Sequence, residues 1–267
     1  MFNPSILVAV PTKNDISDIP NLVNSMKDQN CDKWNLLFID ASDIEKSENY
    51  LKNICHRDNR FKFIKENTKT KSIYNAMNLA FDYVHDNEWL FFWGSDDWAS
   101  SNTIIETIYS QIELNNINNI DPDLIVYSAE YFDLNDKRIK RNTIFENSYR
   151  ILNFDLFKKK LFFGHSLPHQ ATLFSPKVRL NKTKYDTKLK LASDLDYFLK
   201  ISNKRDITIQ TIPTSIITIG TNGVSSKLHI LRTYEVIKCY FKYFKTLFFI
   251  PFIFRYLRRY FQLISMK

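Results

Sequence analysis

Five short apolar runs punctuate the first half of the chain: Ser5 to Val10, Trp34 to Ile39, Phe61 to Ile64, Trp89 to Trp93 and Leu124 to Tyr127. Each is hydrophobic throughout rather than alternating, and the stretches between them are long enough for helices. Strands buried on both faces read this way, so the pattern predicts mostly parallel strands joined by helical crossovers, an α/β nucleotide-type sheet flanked by helices. Further on, Ala171 to Phe174 is another apolar run, and Lys190 to Ser202 carries Leu191, Leu195, Phe198, Leu199 and Ile201 on one side. Ile207 to Ile219 reads as extended. From about Asp133 to Lys160 the chain is polar and mixed in charge, and the expectation there is at most one short helix.

The end of the chain follows another rule. Ile230, Tyr234, Ile237, Phe241, Phe244 and Phe248 recur every three or four residues, with Arg232, Lys238, Lys242 and Lys245 between them. This predicts a basic amphipathic helix that Pro251 breaks or kinks, after which Ile253, Leu257, Tyr260 and Ile264 repeat the pattern beside Arg255, Arg258 and Arg259. The longest uncharged apolar run, Leu247 to Phe254, has eight residues, far short of the roughly 20 that a spanning helix needs. The expectation is two helices lying on a membrane surface, with packing on the protein's own core as the alternative. With no internal repeat and only four glycines, residues 1–226 read as one domain and 227–267 as an appended helical tail.

Charge sharpens that division. The formal net charge is +8, and residues 227–267 hold nine Lys or Arg against one acid, whereas the preceding residues balance at 28 each. A surplus confined to one end suits an anionic membrane surface, while a neutral body argues against nucleic acid. The three cysteines, Cys31, Cys55 and Cys239, are far apart and form no CxxC pair, as expected of reduced cytoplasmic thiols rather than a disulfide framework or zinc site. The opening MFNPSILVAVPTKND has no cationic leader and meets Pro11 after a short apolar run, which predicts a first core strand rather than a signal peptide.

Candidate chemistry centres on GSDDW. Gly94 and Ser95 break the Trp89 to Trp93 run, so Asp96 and Asp97 stand where a strand leaves the sheet, and open α/β sheets bind ligands at that carboxyl edge. A hard cation held there could clamp a diphosphate. The alternative is a helix cap for the apolar-periodic segment Ile104, Ile105, Ile108 and Ile112.

VAVPTKND, FIDASD, KSIYNAMN, GSDDW, PHQATLFS, ASDLDYFLKI and TNGVSS occur in this order over about residues 4–226, and with them the chain resembles family 2 glycosyltransferases of the GT-A fold, closest to the bacterial enzymes of capsule, exopolysaccharide and O-antigen synthesis. The resemblance implies transfer of a sugar from a nucleotide diphosphate, a UDP-sugar foremost, to a hydroxyl, with inversion and with Mg²⁺ or Mn²⁺. SDD is similar to the family's D-x-D motif, which makes Asp97 the metal ligand and Asp96 a support for the donor's ribose or sugar. Pro11, Thr12 and Asn14 match its P-T-x-N loop beside the nucleotide. Asp40 matches the aspartate that recognises the nucleobase, although a strand-end cap is an equal reading. Asp194 falls at the position of the catalytic base with Asp196 in reserve; helix-start carboxylates are their alternative. His169 and Gln170 match an HQ pair near the acceptor or the diphosphate, where a structural histidine is the other reading. Lys71 could reach a phosphate or be a solvated surface lysine. The chain departs from the family at Ala41 and Asp43, where a glycine-rich loop is usual, and at Ser72, where Gly is common.

The function this implies is sugar transfer to a lipid-linked glycan at the inner face of the cytoplasmic membrane. The alternative is a catalytically silent nucleotide-sugar-binding or scaffold subunit. A sugar nucleotidylyltransferase is weakened by the lack of a Gly-rich N-terminal loop with a following basic signature.

Overall fold

The computed structural model describes residues 5–14, 16–67, 71–133, 136–180, 182–220 and 228–264, with the side chains of 179–180 and 262–264 left aside. TNGVSS lies outside the described residues. Strands β1 (Ser5–Thr12), β2 (Trp34–Asp40), β3 (Phe61–Lys65) and β4 (Glu88–Phe92) are the first four apolar runs. They pair in parallel in the order β3-β2-β1-β4. Helices α1 (Ile19–Lys27), α2 (Glu45–Arg57) and α3 (Ile73–Tyr83) are the crossovers. All five residues of β4 are buried, as a strand covered on both faces requires.

The second half of the sheet is mixed. β5 (Asp97–Ala99) precedes α4 (Ile104–Ile117), and β6 (Leu124–Asp133) then lies parallel to β10 (Ile209–Gly220). β9 (Thr172–Phe174) runs antiparallel between β4 and β6, so the full order is β3-β2-β1-β4-β9-β6-β10-β5. The polar 133–160 stretch holds more than the expected short helix α5 (Phe154–Phe162). β7 (Arg138–Thr143) pairs with β6 and β8 (Arg150–Leu152) with β10. Both strands are largely exposed and charged, so no apolar run announced them. Two apolar layers cover the faces of the sheet, one built on Leu7, Ala9, Phe92 and α7 (Ser193–Ile201), the other on Val8, Phe38, Trp93 and α4.

The tail forms α8 (His229–Phe244) and α9 (Phe249–Ile264), and among the described residues no helix is long and apolar enough to cross a membrane. Pro251 does not break the tail. It sits in the first turn of α9, where backbone N–H groups lack intrahelical acceptors, and the break falls at the Lys245–Leu247 3₁₀ turn, with Lys245 at φ 50°. The inner faces pack on the body: Val236, Cys239 and Tyr240 are buried, and Phe244, Phe248 and Phe252 lie against the layer that includes α7.

Gly164 fixes where α9 docks. It follows α5 at φ +74°, and a Cβ there would stand 2.3 Å from the Arg255 backbone nitrogen. Gly164→Ala should therefore destabilise the protein by about 1–3 kcal/mol, the range of overpacking, and loosen α9 first. Thermal melting with hydrogen exchange on α9 checks this; an unchanged melting temperature would contradict the close approach.

Candidate active site at the carboxyl edge of the sheet

The turn after β4 brings the two candidate carboxylates to the sheet edge, where β5 pairs antiparallel with β10 through Ile219 opposite Asp97. The helix-cap reading fails, because Asp97 opens β5 and α4 starts seven residues later behind Thr103. Asp97 is 1% exposed. Its Oδ2 accepts the Gly94 N–H at 2.5 Å, and its Oδ1 is buried without a hydrogen-bond partner. A Cβ at Gly94 would stand 2.7 Å from Asp96 Oδ1 and 3.1 Å from Asp97 Oδ2, and one at Gly220 2.9 Å from Asp96 Oδ2. Two missing side chains thus make the space in which the carboxylates lodge.

Burial first, and then the Asp96 charge, push Asp97 up to about 8. A cation beside the unpartnered Oδ1 would remove both objections to the charged form, so the donor set fits a hard divalent ion. Among the described residues no cluster of three or more His, Cys, Asp or Glu is placed to hold a metal, so such an ion would draw most of its coordination from a bound ligand and water.

On the β1 and β2 side, Asp40 is fully buried and engaged on both oxygens. Thr12 Oγ1 and Ser42 Oγ donate to Oδ1 at 3.0 and 2.5 Å, and Lys65 Nζ donates to Oδ2 at 3.0 Å while pairing with Glu48 at 2.6 Å. Asn14, at φ 59°, latches the two loops: its N–H donates to Ser42 Oγ at 2.7 Å and its Oδ1 accepts the Asp43 N–H at 2.9 Å. Pro11 sits at the end of β1 opposite Ile39. Lys71 pairs with Asp43, whose carboxyl that hydrogen bond and charge hold below its usual range. Ser72, where the resembled family favours Gly, is extended at φ −153°. Its Oγ accepts the Asn75 N–H to cap α3, and its own N–H donates to Glu66 Oε1 at 3.1 Å.

The third group lies around α7. His169 is buried, with Nε2 2.7 Å from the Tyr185 hydroxyl and its ring stacked on Phe92 at 5.5 Å. Burial pushes His169 down to about 4, so it is neutral at physiological pH. The Gln170 backbone carbonyl accepts the Trp93 Nε1–H at 3.0 Å. Asn78, of the KSIYNAMN motif, clamps the Tyr185 backbone from both sides, at 2.8 and 3.1 Å. Asp194 is half-buried in the first turn of α7, near His169, Tyr185 and the Tyr74 hydroxyl. Asp196, 2% exposed, points elsewhere and takes Lys242 of α8 at 2.7 Å.

Sequence reasoning missed Lys65 and Glu235. Lys65 ends β3, and its place after an apolar run was its only signal. Glu235, buried in α8, accepts the backbone N–H groups of Lys190, Leu191 and Ala192 at 2.8, 2.7 and 3.0 Å. It holds the turn that leads into the helix bearing Asp194, and as the one acid of the tail it stood out only by charge.

Residues 7–177 match the family model described as Glycosyl transferase family 2. Among solved structures, S. aureus TarS matches with a TM-score of 0.62 at 16% identity, over 87% of this chain and 40% of that one. S. aureus TarS 1–349 in complex with UDP-GlcNAc matches with 0.64 at 15%, over 88% and 65%. The mannosyltransferase PcManGT from Pyrobaculum calidifontis, in complex with GDP-Man and Mn²⁺, matches with 0.62 at 14%, over 94% and 70%. At these identities the likeness is one of fold, and the chain spans less than half of full TarS. No curated protein matches this chain in sequence.

The raised Asp97 has a pH consequence. Its folded value of about 8 lies above the ordinary 3.8, so in chelator the protonated form stabilises the fold fully below about pH 4 and the contribution declines as pH rises to about 8. Melting in EDTA should show this decline, Asp97→Asn should flatten it, and Mn²⁺ should raise the wild-type melting temperature more at pH 8 than at pH 6. A metal effect independent of pH would contradict the assignment.

Proposed function

The chain belongs to glycosyl transferase family 2, and from that membership we propose that it transfers a sugar, with inversion, from a nucleotide-diphosphate sugar to a hydroxyl of a lipid-linked glycan in bacterial surface polysaccharide synthesis. The observation that carries this reading is the pair of carboxylates at the sheet edge, with one buried oxygen of Asp97 left without a partner. Asp97 would hold a divalent cation with Asp96 beside it, and the chemistry that such an ion would supply is neutralisation of charge on the departing diphosphate.

The remaining roles belong to side chains of this chain. The Asp194 carboxylate takes the proton of the acceptor hydroxyl as its oxygen bonds to the anomeric carbon, and the bond from that carbon to the diphosphate breaks with the electron pair leaving on the nucleoside diphosphate. Asp194 is favoured over Asp196 because Asp196 is buried and paired with Lys242. His169, neutral and held by Tyr185, offers the acceptor a fixed polar edge, with Gln170 beside it. Thr12, Asn14 and Asp40, with Lys65, shape the nucleoside side, Pro11 borders it, and Lys71 faces the donor phosphates from the loop before α3.

The outer faces of α8 and α9 meet an anionic membrane. Ile230 is 89% exposed, and Tyr234 and Phe261 are 63% exposed, among basic residues that favour anionic headgroups.

Two measurements test these readings. A screen of nucleotide sugars should find one that the protein hydrolyses with Mg²⁺ or Mn²⁺, and Asp97→Ala, folded by circular dichroism, should reduce that turnover at least about 100-fold, as loss of transition-state charge stabilisation does. Turnover surviving that change would remove the metal assignment, and no turnover with any donor would favour the silent scaffold. Ile230→Ser with Phe261→Ser should lower co-sedimentation with phosphatidylglycerol vesicles several-fold; equal sedimentation would exclude the membrane face.

A further inference from the structure

Four arginines converge beside the candidate site. Arg141 on β7 lays its guanidinium 3.7 Å over the Tyr131 ring. Arg259 of α9 lies within electrostatic reach of Arg141, of Arg232 on α8 and of Arg255 on α9, and also faces Tyr131. Among the described residues none of the four forms an ion pair with a carboxylate. The Arg255 guanidinium is buried beside the Tyr240 hydroxyl, its neighbour for hydrogen bonding, which holds no other partner among the described residues. Burial, followed by the three neighbouring guanidinium charges, pushes Arg259 down to about 10. Like charges gathered this closely call for an anion carrying more than one negative charge.

Position narrows which anion. Arg141 lies opposite Tyr131, Tyr131 opposite Ile219, and Ile219 opposite Asp97, one register line across four strands. Adjacent strands lie about 4.8 Å apart, so the backbone of Tyr131 is about 10 Å from that of Asp97 and Arg141 about 14 Å. The cluster is thus displaced along the edge from the point where Asp97 would clamp a diphosphate. Arg255 also lies within electrostatic reach of Asp194, which places the anion on the acceptor side.

We propose that Arg141, Arg232, Arg255 and Arg259 form a binding site for a phosphate or diphosphate group of the acceptor, which anchors the acceptor while its hydroxyl reaches Asp194. The assignment of an acceptor rests on the glycosyl-transfer reading, whereas the anion site stands on the arginines alone. It also gives the tail a second task, because three of the four arginines come from α8 and α9.

The test uses the full chain and inorganic pyrophosphate in EDTA, so that no metal bridges the probe to Asp96 and Asp97. Calorimetry should show saturable binding that weakens with salt. Arg141→Gln with Arg259→Gln should weaken it at least about tenfold, which is about 1.4 kcal/mol. Lys188→Gln with Arg205→Gln, which removes equal charge from exposed turns, should leave it unchanged. Melting curves confirm that both double variants are folded. Absent saturable binding, or binding that Arg141→Gln with Arg259→Gln leaves intact, overturns the site. A parallel arm with phosphatidylglycerol vesicles separates the sources: if that arginine pair lowers vesicle sedimentation and leaves pyrophosphate binding intact, the cluster serves lipid headgroups and the acceptor site is overturned. The donor-hydrolysis screen on unaltered protein reports separately on the transfer reading.

Discussion

One carboxylate joins the two parts of this molecule. Glu235, from the first tail helix, accepts three successive backbone N–H groups on the turn that leads into α7, the last of them that of Ala192, the residue before the helix. The orientation of α7 sets where Asp194 stands, and Lys242, two turns after Glu235, pairs with Asp196 on the same helix. Gly164 then lets α9 approach backbone to backbone on the far side. The tail is thus structurally continuous with the sheet and its helices, while its outer face is exposed.

The parallel half of the sheet was legible because each strand is buried on both faces and so is apolar without interruption, as in Trp89 to Trp93. β7 and β8 were not legible, because RIKRNT and RIL lie at the periphery and keep their charges in solvent. Pro251 misled for a local reason: the missing N–H matters inside a helix and not in its first turn. The candidate site was half visible. Spacing placed Asp96 and Asp97 at a strand end, but no pattern in sequence shows that Gly94 and Gly220 clear the space they occupy, since that depends on which strand β5 pairs with. Asp194 and Asp196 were indistinguishable as neighbours. Residues two apart on a helix point in different directions, and only the position of Lys242 tells them apart.

Burial sets the charge states on this rim more than pairing does. Asp97 is pushed up and His169 down by the same loss of solvent, so both favour their neutral forms at neutral pH when nothing is bound. Asp40 is buried just as deeply, yet it is surrounded by Thr12, Ser42 and Lys65. The edge therefore holds one carboxylate that is already satisfied and another with a buried oxygen left without a partner.

The Glu235 contact also orders events during synthesis. Ala192 meets its partner 43 residues further along the chain, so the turn before α7 keeps open donors until α8 has been made. Nascent chains, and fragments cut short before residue 235, would lack the contact that holds the approach to Asp194. The placement of that carboxylate would thus be completed only after the first tail helix has been made.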